Sequence, residues 1–316
     1  MSRRSARFSW SGVAVMIAVA LAAGLVLSIS ALFAPRAGRQ AAPGSAPQVV
    51  APATPPRPPA AILEPRSEPP RTEPRHVPQA PALPVPRPAA YLVAVIFDDA
   101  GGSLEAVEEI IAIGRPVAVA VLPGLTHSTE VARRARAAGL EVLLHLPVEP
   151  HDDAKAMGPG GVMVVMTEAE IQSTVRAGLA SVPGAVGVNN HMGSKGTADR
   201  RVVRAILEVV RDRQLFFLDS RTTVDTVVEP VAAELGVPAG RRLLFLDNQE
   251  DEESIRQQVR RLIALAQERG AAIAIGHAQR ITPRVVASML AELDREGVAI
   301  VPVSTLVRAR KTVSPP

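Results

Sequence analysis

The segment Val93-Ala94-Val95-Ile96-Phe97-Asp98-Asp99-Ala100-Gly101 joins an apolar run to two adjacent carboxylates. The five apolar residues are rich in β-branched side chains, which is typical of a strand buried on both faces of a parallel sheet. In parallel α/β folds, ligands and catalytic groups collect at the carboxyl ends of the strands. The segment therefore predicts a strand and, at its end, part of a functional site.

Four further apolar runs end at a polar side chain in the same way. Val142-Leu143-Leu144 leads to His145, with Glu149 four residues later. The other three runs lead to Asn189-Asn190-His191, to Asp219 and to His277. One such residue at a strand end is usually a helix cap or a core hydrogen-bonding group. Five in the same topological position predict one shared site with a metal ion at its centre.

Segments with helical periodicity lie between these runs. Thr167 and Glu170 form a capping-box pattern, and Thr282-Pro283 has the pattern of an N-cap followed by proline. The other helices are predicted at 104–113, 128–138, 199–213, 223–235, 252–269 and 282–296. Strands are predicted near 92–97, 116–122, 140–145, 185–189, 215–218, 242–246, 271–276 and 298–302. We therefore expect a (β/α)7-type distorted barrel of parallel strands, an α/β fold with a single catalytic-type domain. An open doubly wound sheet is the alternative, although no Gly-rich phosphate loop follows the first strand.

Composition divides the chain into segments. Residues 10–34 carry no charged side chain and follow three arginines, so 1–34 is predicted to be an inner-membrane anchor that leaves the rest of the chain in the periplasm. A cleaved signal sequence, with secretion to the periplasm, is the alternative. Residues 35–90 contain a proline-rich segment with 17 of the 29 prolines and are expected to be a disordered linker. The predicted domain is 91–310, followed by a tail at 311–316.

Charge follows the same division. The first 90 residues contain ten arginines and three glutamates, and the rest of the chain has 25 basic and 28 acidic residues. The basic character thus belongs to the anchor and linker, and no nucleic-acid-binding face is predicted for the domain. The chain has no cysteine, which excludes thiolate metal ligands and thiol catalysis.

These motifs, in this order over residues 92–307, resemble the divergent polysaccharide deacetylase family, distant relatives of the NodB-type carbohydrate esterases. Phe97-Asp98-Asp99-Ala100-Gly101 is similar to the Asp-Asp motif of the first strand, which implies that Asp98 is the general base and Asp99 a metal ligand. NodB-type relatives have two metal-binding histidines, His-x3-His, after the third strand. Here His145 is followed by Glu149 at the second position, a departure characteristic of the divergent branch.

The remaining motifs extend the resemblance. The segment 187–194, with Asn190 and His191, resembles the divergent counterpart of an Arg-Pro-Pro groove motif. The segment 217–222, with Asp219 and Arg221, takes the place of an Asp-containing fourth motif without its Asp-Trp partner. Ala274-Ile275-Gly276-His277-Ala278 resembles the last motif, whose histidine is the general acid.

The expected chemistry is hydrolysis of an acetyl group. A divalent ion held by Asp99, His145 and Glu149 would polarise the acetyl carbonyl and lower the pKa of water, while Asp98 accepts a proton and His277 donates one. Zn²⁺ is the expected ion, and Mn²⁺, Co²⁺ or Ni²⁺ are alternatives because one histidine with two carboxylates is a hard ligand set.

Several roles stay open at the level of the sequence. His191 is expected to be a further ligand, an oxyanion donor or a structural residue. Asn190 belongs to the substrate or orienting group. Asp219 is expected to orient a catalytic imidazole, and Arg221 to bind substrate, although the two could instead form an internal ion pair.

The sequence therefore predicts a metal-dependent hydrolase that removes N- or O-linked acetyl groups from an envelope glycan such as peptidoglycan. The alternative is a catalytically weak or inactive glycan-binding scaffold on the same fold. Sugar-binding grooves use aromatic stacking faces, and the domain has few aromatic residues, all in or beside predicted strands.

Overall fold

The computed structural model describes residues 90–152 and 157–309 of the 316-residue chain. The predicted anchor, almost all of the predicted linker and the tail lie outside the described residues. Within the described ranges, no helix is both long enough and apolar enough to cross a bilayer.

Parallel strands form one sheet. The strands are β1 (Tyr91–Ala100), β2 (Ala118–Val121), β3 (Glu141–Val148), β4 (Gly187–Met192), β5 (Phe216–Asp219), β6 (Ala239–Arg241), β7 (Leu244–Phe245), β8 (Ala271–His277) and β9 (Val298–Ile300). They pair in the order β6-β5-β4-β3-β2-β1-β8-β7, with β9 on β1, and every pairing is parallel. The predicted parallel α/β architecture is confirmed.

Helices connect the strands. They are α1 (Leu104–Ile111), α2 (Ser128–Ala137), α3 (Glu168–Ser181), α4 (Arg200–Asp212), α5 (Val228–Leu235), α6 (Glu252–Arg269), α7 (Ile281–Ser288), α8 (Leu290–Arg295) and α9 (Val303–Ala309). The capping box at the start of α3 is present, because the Thr167 hydroxyl accepts from the Glu170 N–H and the Glu170 carboxylate accepts from the Thr167 N–H.

The sheet curls around its last helix. Helix α9 contacts β1, β5, β6 and β8, although β6 and β8 lie far apart in the strand order. Val303, Leu306 and Val307 of α9 are buried with the apolar residues of the inner face of the sheet. The sequence predicted no helix here, because this segment is short and rich in β-branched residues, which have low helix propensity.

One segment joins the two sides of the curled sheet. We call residues 239–245 the seam segment, because its β6 part pairs with β5 and its β7 part pairs with β8. At the bend, the Arg242 N–H donates to the Asp219 carbonyl and the Leu243 N–H donates to the Ile273 carbonyl. The strand predicted near 242–246 is present only as β7, and the separate strand β6 before it was not predicted.

Two predicted helices have different bounds. Helix α5 starts at Val228 and not at Thr223, because the Thr226 hydroxyl donates to Asp219 and holds the preceding residues in a turn. The predicted helix 282–296 is divided into α7 and α8 at Met289. Thr282 is not the N-cap of α7, since its hydroxyl donates to Asp247.

Inward-facing positions on the strands lead from the core to the candidate site. Residues two apart in a strand share a face, so a polar side chain that follows an inward-facing apolar one also points inward. The buried inner-face cluster includes Ala94, Ile96, Leu143, Leu218, Ile273 and Ile275. The polar residues that continue this face are Asp98, His145, Ser220 and His277. They lie at the carboxyl ends of their strands, where the sequence predicted the site.

Candidate metal centre and proton-transfer residues

Both carboxylates of the first motif reach the same imidazole. Nε2 of His145 lies 3.5 Å from Asp98 Oδ2 and 3.1 Å from Asp99 Oδ1. Regular strand alternation would point adjacent residues to opposite faces. Here the β1–β2 register shifts between Phe97 and Ala100, and Asp99 has φ 60°. This irregularity turns Asp99 toward the site, as β-bulges do beside other active sites.

Three potential ligand atoms converge at the end of β1, β3 and β4. Asp99 Oδ1 lies 2.8 Å from His191 Nδ1 and 3.1 Å from His145 Nε2, and the two nitrogens are 3.2 Å apart. Tetrahedral Zn²⁺ with bonds of about 2.0–2.2 Å holds its ligand atoms about 3.3 Å apart. The buried Asp99 Oδ1 also has no aligned hydrogen-bond donor among the described residues. One carboxylate oxygen and two imidazole nitrogens in this arrangement fit a divalent metal ion.

Asn189 fixes the orientation of the buried His145 ring. Its Nδ2 donates to Asp98 Oδ1 at 2.9 Å, so its Oδ1 is the atom that lies 3.0 Å from His145 Nδ1. An amide oxygen accepts hydrogen bonds but cannot donate them. Nδ1 of His145 must therefore carry the proton, and Nε2 is left as the metal-binding nitrogen. Asn189 is a functional residue that the sequence analysis placed in the motif without giving it a role.

The carboxylates and imidazoles of this cluster shift one another's pKa values. Burial alone would raise the pKa of Asp99, but its contacts with His145 and His191 lower that pKa far below its ordinary value. Burial alone would lower the pKa of His145, but Asp98 and Asp99 raise it. Both shifts favour a carboxylate paired with a protonated imidazole, so a cation competes with protons at this site and metal affinity should fall as the pH falls.

Asp98 is the second carboxylate of the group. Burial raises the pKa of Asp98, although His145 and the Asn189 amide oppose that rise. The side chain is buried and lies beside the three ligand atoms. It is therefore placed to exchange a proton with a group bound there.

The structure does not bring Glu149 into the metal cluster. Its carboxylate accepts from Lys195 Nζ and from the Val164 N–H, both at 2.5 Å, and its backbone carbonyl accepts from the N–H groups of Lys195 and Gly196. The group of potential ligands contains His191 in its place. The physical reason is the position of Glu149 after the end of β3, where it holds two loops together, whereas His191 pairs in register with Pro147 inside the sheet.

His277 lies next to Asp98 across the sheet. These two residues are register partners in the β1–β8 pairing, so adjacent strands bring them together. His277 Nδ1 lies 2.9 Å from Asp247 Oδ1, and Asp247 Oδ2 accepts from the His277 N–H and from the Thr282 hydroxyl. The hydrogen bond to Asp247, against the effect of burial, raises the pKa of His277 to about 9.

Asp247 is the residue that the sequence analysis missed. It follows Leu243-Leu244-Phe245-Leu246 and so ends an apolar run, which is the same signal that identified the other candidates. It performs the task predicted for Asp219, because it orients a histidine at the rim of the barrel.

The three remaining candidates have structural contacts. Asp219 Oδ1 accepts from the Arg221 N–H and Oδ2 accepts from Thr226, and burial raises the pKa of this carboxyl. Asn190 accepts from the Ser220 N–H and donates to the Met192 carbonyl. No ion pair joins Asp219 to the Arg221 side chain within the described residues, since the contact is made by the Arg221 backbone. The structure therefore places Asp219 at the end of β5, where its carboxylate hydrogen-bonds to the turn that follows and not to an imidazole.

This combination defines an α/β protein with a cluster of potential metal ligands, and a neighbouring aspartate and histidine, at the carboxyl ends of its strands. The sequence profile of the divergent polysaccharide deacetylases matches residues 95–307. The chain is 32% identical over 223 residues to an uncharacterized protein of Haemophilus influenzae, covering 71% of this chain and 79% of that protein. It is 35% identical over 224 residues to the Escherichia coli protein YibQ, covering 71% of this chain and 68% of that one. The chain belongs to the divergent polysaccharide deacetylase family.

A solved structure supports the fold independently. The crystal structure of an uncharacterized protein from Agrobacterium tumefaciens superposes with a TM-score of 0.67 at 23% identity, covering 72% of this chain and 93% of that one. At this identity the likeness concerns the fold alone. The resemblance to the family stated from the motifs is thus confirmed.

Proposed function

We propose that this protein is a metal-dependent hydrolase that removes acetyl groups, N- or O-linked, from a glycan of the cell envelope. The observation that carries the proposal is the convergence of Asp99, His145 and His191 within 3.2 Å of one another, with Asp98 beside them. Membership of the polysaccharide deacetylase family supports an acetylated carbohydrate as the substrate class.

Asp99, His145 and His191 would hold the cation. When bound, a divalent ion such as Zn²⁺, or alternatively Mn²⁺, Co²⁺ or Ni²⁺, supplies Lewis acidity that polarises an acyl carbonyl and makes water more nucleophilic at neutral pH. The sequence predicted one imidazole and two carboxylates as ligands. The two imidazoles and one carboxylate of the structure are closer to the ligand sets of zinc hydrolases.

The protein side chains divide the proton transfers between them. Water adds to the acetyl carbon while Asp98 accepts the water proton. The bond from that carbon to nitrogen or oxygen then breaks, and His277 donates a proton to the departing amine or alcohol. With a pKa of about 9, His277 is protonated at neutral pH. Because Nδ1 is engaged by Asp247, Nε2 is the nitrogen that delivers the proton.

The place of action is also part of the proposal. The uncharged residues 10–34, preceded by Arg3, Arg4 and Arg7, support a single-pass inner-membrane anchor with the catalytic domain in the periplasm. Peptidoglycan and other envelope polysaccharides are accessible from that compartment. Fractionation of cells that produce the full-length chain, followed by protease treatment of spheroplasts, would test this topology.

The test of the activity is acetate release by the metal-loaded protein from acetylated glycans and from a neutral acetyl ester. Asp98→Asn and His277→Ala should each lose about 10²–10⁴-fold in kcat/KM while they keep the bound metal and the fold. Absence of acetate release with each of the four metals would contradict the proposal.

Asp219→Asn is the matched control. Asp219 is also a buried carboxylate at a strand end, but its partners are a backbone N–H and Thr226. Its replacement should lower thermal stability and change the rate on the neutral ester by less than about tenfold, because no reacting group is removed. If Asp219→Asn loses as much kcat/KM as Asp98→Asn, the loss in Asp98→Asn is no evidence that Asp98 transfers a proton.

A glycan-binding scaffold remains the second candidate. Phe97, Phe216 and Phe217 are buried in the core, and among the described residues only Tyr91 and Phe245 are partly exposed aromatics. A long glycan therefore has few stacking surfaces on the described domain. This observation favours recognition of a short stretch of glycan. If Asp98→Asn and His277→Ala both complement a deletion strain, the scaffold function is favoured.

A further inference from the structure

Arginines line an open cleft where the seam segment changes partner. The cleft has a volume of about 410 Å³, and four arginines contribute to its wall. These are Arg221, Arg241, Arg242 and Arg269. The cleft lies where the chain bends at Arg242 and Leu243, between the strand paired with β5 and the strand paired with β8.

Acidic partners compensate only part of this charge. Arg241 pairs with Glu229 at 3.3 Å, and Arg269 approaches Glu268 only at 3.9 Å with both side chains about half exposed or more. The Arg221 side chain has no ion pair or hydrogen bond with any described residue. The buried Asp219 carboxylate also interacts with the charges of Arg221 and Arg242. Four guanidinium groups therefore face the carboxylates of Glu229, Glu268 and Asp219, which leaves the wall with a net positive charge.

The remaining arginine, Arg242, is fixed in place by neutral groups. Its Nε donates to the Ser220 carbonyl at 2.7 Å and its Nη2 to the Arg221 carbonyl at 2.9 Å. Its guanidinium also lies 3.7 Å from the centre of the Phe245 ring. Burial and the charge of Arg221 lower the pKa of Arg242, whereas the carboxylates of Asp219 and Asp98 oppose that shift. The groups that fix Arg242 by direct contact are neutral, so its guanidinium stays charged and would attract an anion.

The backbone holds Arg221 in an unusual conformation. Its φ is 48°, which is uncommon for a residue with a side chain and costs conformational energy. The Asp219 carboxylate accepts from its N–H, and Arg242 donates to its carbonyl, so both ends of the peptide unit are fixed. Such an arrangement pre-organises the cleft, and pre-organisation lowers the cost of binding.

The cleft adjoins the proton-transfer residues. The Phe245 ring that contacts Arg242 is also stacked with the His277 imidazole, with centroids 5.8 Å apart and planes inclined by 19°. Phe245 thus separates Arg242 from His277 by one aromatic ring. The Arg242 edge of the cleft is therefore the part that a substituent of a saccharide bound at His277 would reach first.

We propose that this arginine cleft binds a carboxylate or phosphate group of the glycan, so that the preferred substrate is an anionic saccharide. A guanidinium forms paired hydrogen bonds with both kinds of group, and such charge-assisted bonds are stronger than neutral ones. That the saccharide is a substrate rests on the proposed function, whereas its binding in the cleft does not.

The test compares the affinity of the full-length protein for three disaccharides by calorimetry. The probes are neutral chitobiose, the N-acetylglucosamine–N-acetylmuramic acid disaccharide with its carboxylate, and chitobiose carrying a 6-phosphate. At least one charged disaccharide should bind about tenfold or more tightly than chitobiose at low salt, and 0.5 M NaCl should reduce that preference. The tighter of the two charged probes identifies the anionic group. Equal affinities for all three probes would overturn the inference.

Variants locate the binding. Arg221→Gln and Arg269→Gln should each lose most of the preference for the charged probe, and Arg221→Lys should recover part of it because the charge remains. Arg213→Gln is the control, since Arg213 is exposed after α4 and does not line the cleft. Loss of the preference in Arg213→Gln to the same extent would overturn the inference, as would its retention in both cleft variants when thermal unfolding shows that they are folded.

Acetate release from a neutral ester separates the two proposals. If the ester is hydrolysed and no charged probe is preferred, the cleft proposal fails and the hydrolase proposal stands. If a charged probe binds through Arg221 and Arg269 but no acetate is released, the cleft proposal stands and the hydrolase proposal fails.

Discussion

The rim of this barrel has two halves that are built differently. On the side of β1, β3 and β4, paired parallel strands and one irregularity at Asp99 bring one carboxylate and two imidazoles within 3.2 Å of one another. On the side of β5 and the seam segment, the chain changes strand partner, and arginines line an open cleft. The paired strands thus hold potential ligand atoms at fixed distances, whereas the change of partner leaves open space.

The largest expected effect tests which residues form the metal-binding half. His191→Ala should lower Zn²⁺ affinity by more than about 100-fold, because even residues that only orient metal ligands contribute about 10–100-fold. Glu149→Gln should keep stoichiometric metal, because that carboxylate is engaged by Lys195 and Val164. Competition with a fluorescent zinc chelator measures both.

His145→Ala is the reference variant, in which zinc binding should be lost completely. Added Zn²⁺ should raise the thermal stability of the parent protein but not that of this variant. Loss of zinc from Glu149→Gln, with retention in His191→Ala, would restore the ligand set expected from the sequence.

A smaller effect is expected at the boundary between the halves. In Asp247→Asn the His277 imidazole loses its anionic partner, so its pKa should fall from about 9 toward the ordinary value near 6.5. The protonated fraction at pH 8 would then fall roughly 30-fold, and the rate should fall with it, while at pH 6 the change should be small. Measurement of kcat/KM from pH 6 to 10, with NMR titration of His277, tests this.

The pH dependence of stability has the same origin. The folded-state pKa of His277 is raised above the unfolded value, so its contribution is fully present below about pH 6.5 and is lost as the pH rises through about 9. Asp247→Asn should remove that slope from the unfolding free energy. A parallel loss of stability at all pH values, with an unchanged rate profile, would leave Asp247 as a purely structural residue.

The smallest effect concerns the ring between the two halves. Phe245→Leu keeps an apolar side chain but removes the stacking on His277 and the contact with the Arg242 guanidinium. Aromatic pairs contribute about 0.5–1.5 kcal/mol, so kcat/KM for a charged glycan should fall about two- to tenfold. The same variant should hydrolyse a neutral ester at nearly the parental rate. Equal losses on both substrates would show that Phe245 supports His277 alone.

The sequence predicted those parts of the site that depend on where strands end. Asp98, Asp99, His145, His191 and His277 all follow or end apolar runs, and the structure places all five on the rim. Whether Glu149 or His191 is the third potential metal ligand depends on how β3 pairs with β4. No local sequence pattern predicts that pairing.

The seam segment shows the same limit more clearly. The run from Leu243 to Leu246 has strand propensity, but only the three-dimensional fold shows that its β7 part pairs with β8 while β6, just before it, pairs with β5. The left-handed conformations of Asp99 and Arg221 were equally invisible, since neither residue is glycine. In both cases tertiary contacts override the local preference of the backbone.

The Asn189 amide has a consequence for the movement of protons. It touches His145 through its oxygen and Asp98 through its nitrogen, and an amide neither releases a proton from that nitrogen nor retains one on that oxygen near neutral pH. Asn189 therefore passes no proton between the two groups, whereas a carboxylate at the same position could accept one from His145. Direct exchange between Asp98 and His145 is left to the approach of Asp98 Oδ2 to His145 Nε2 at 3.5 Å. That approach is made at the nitrogen that would bind a metal ion, so a bound ion would close the route.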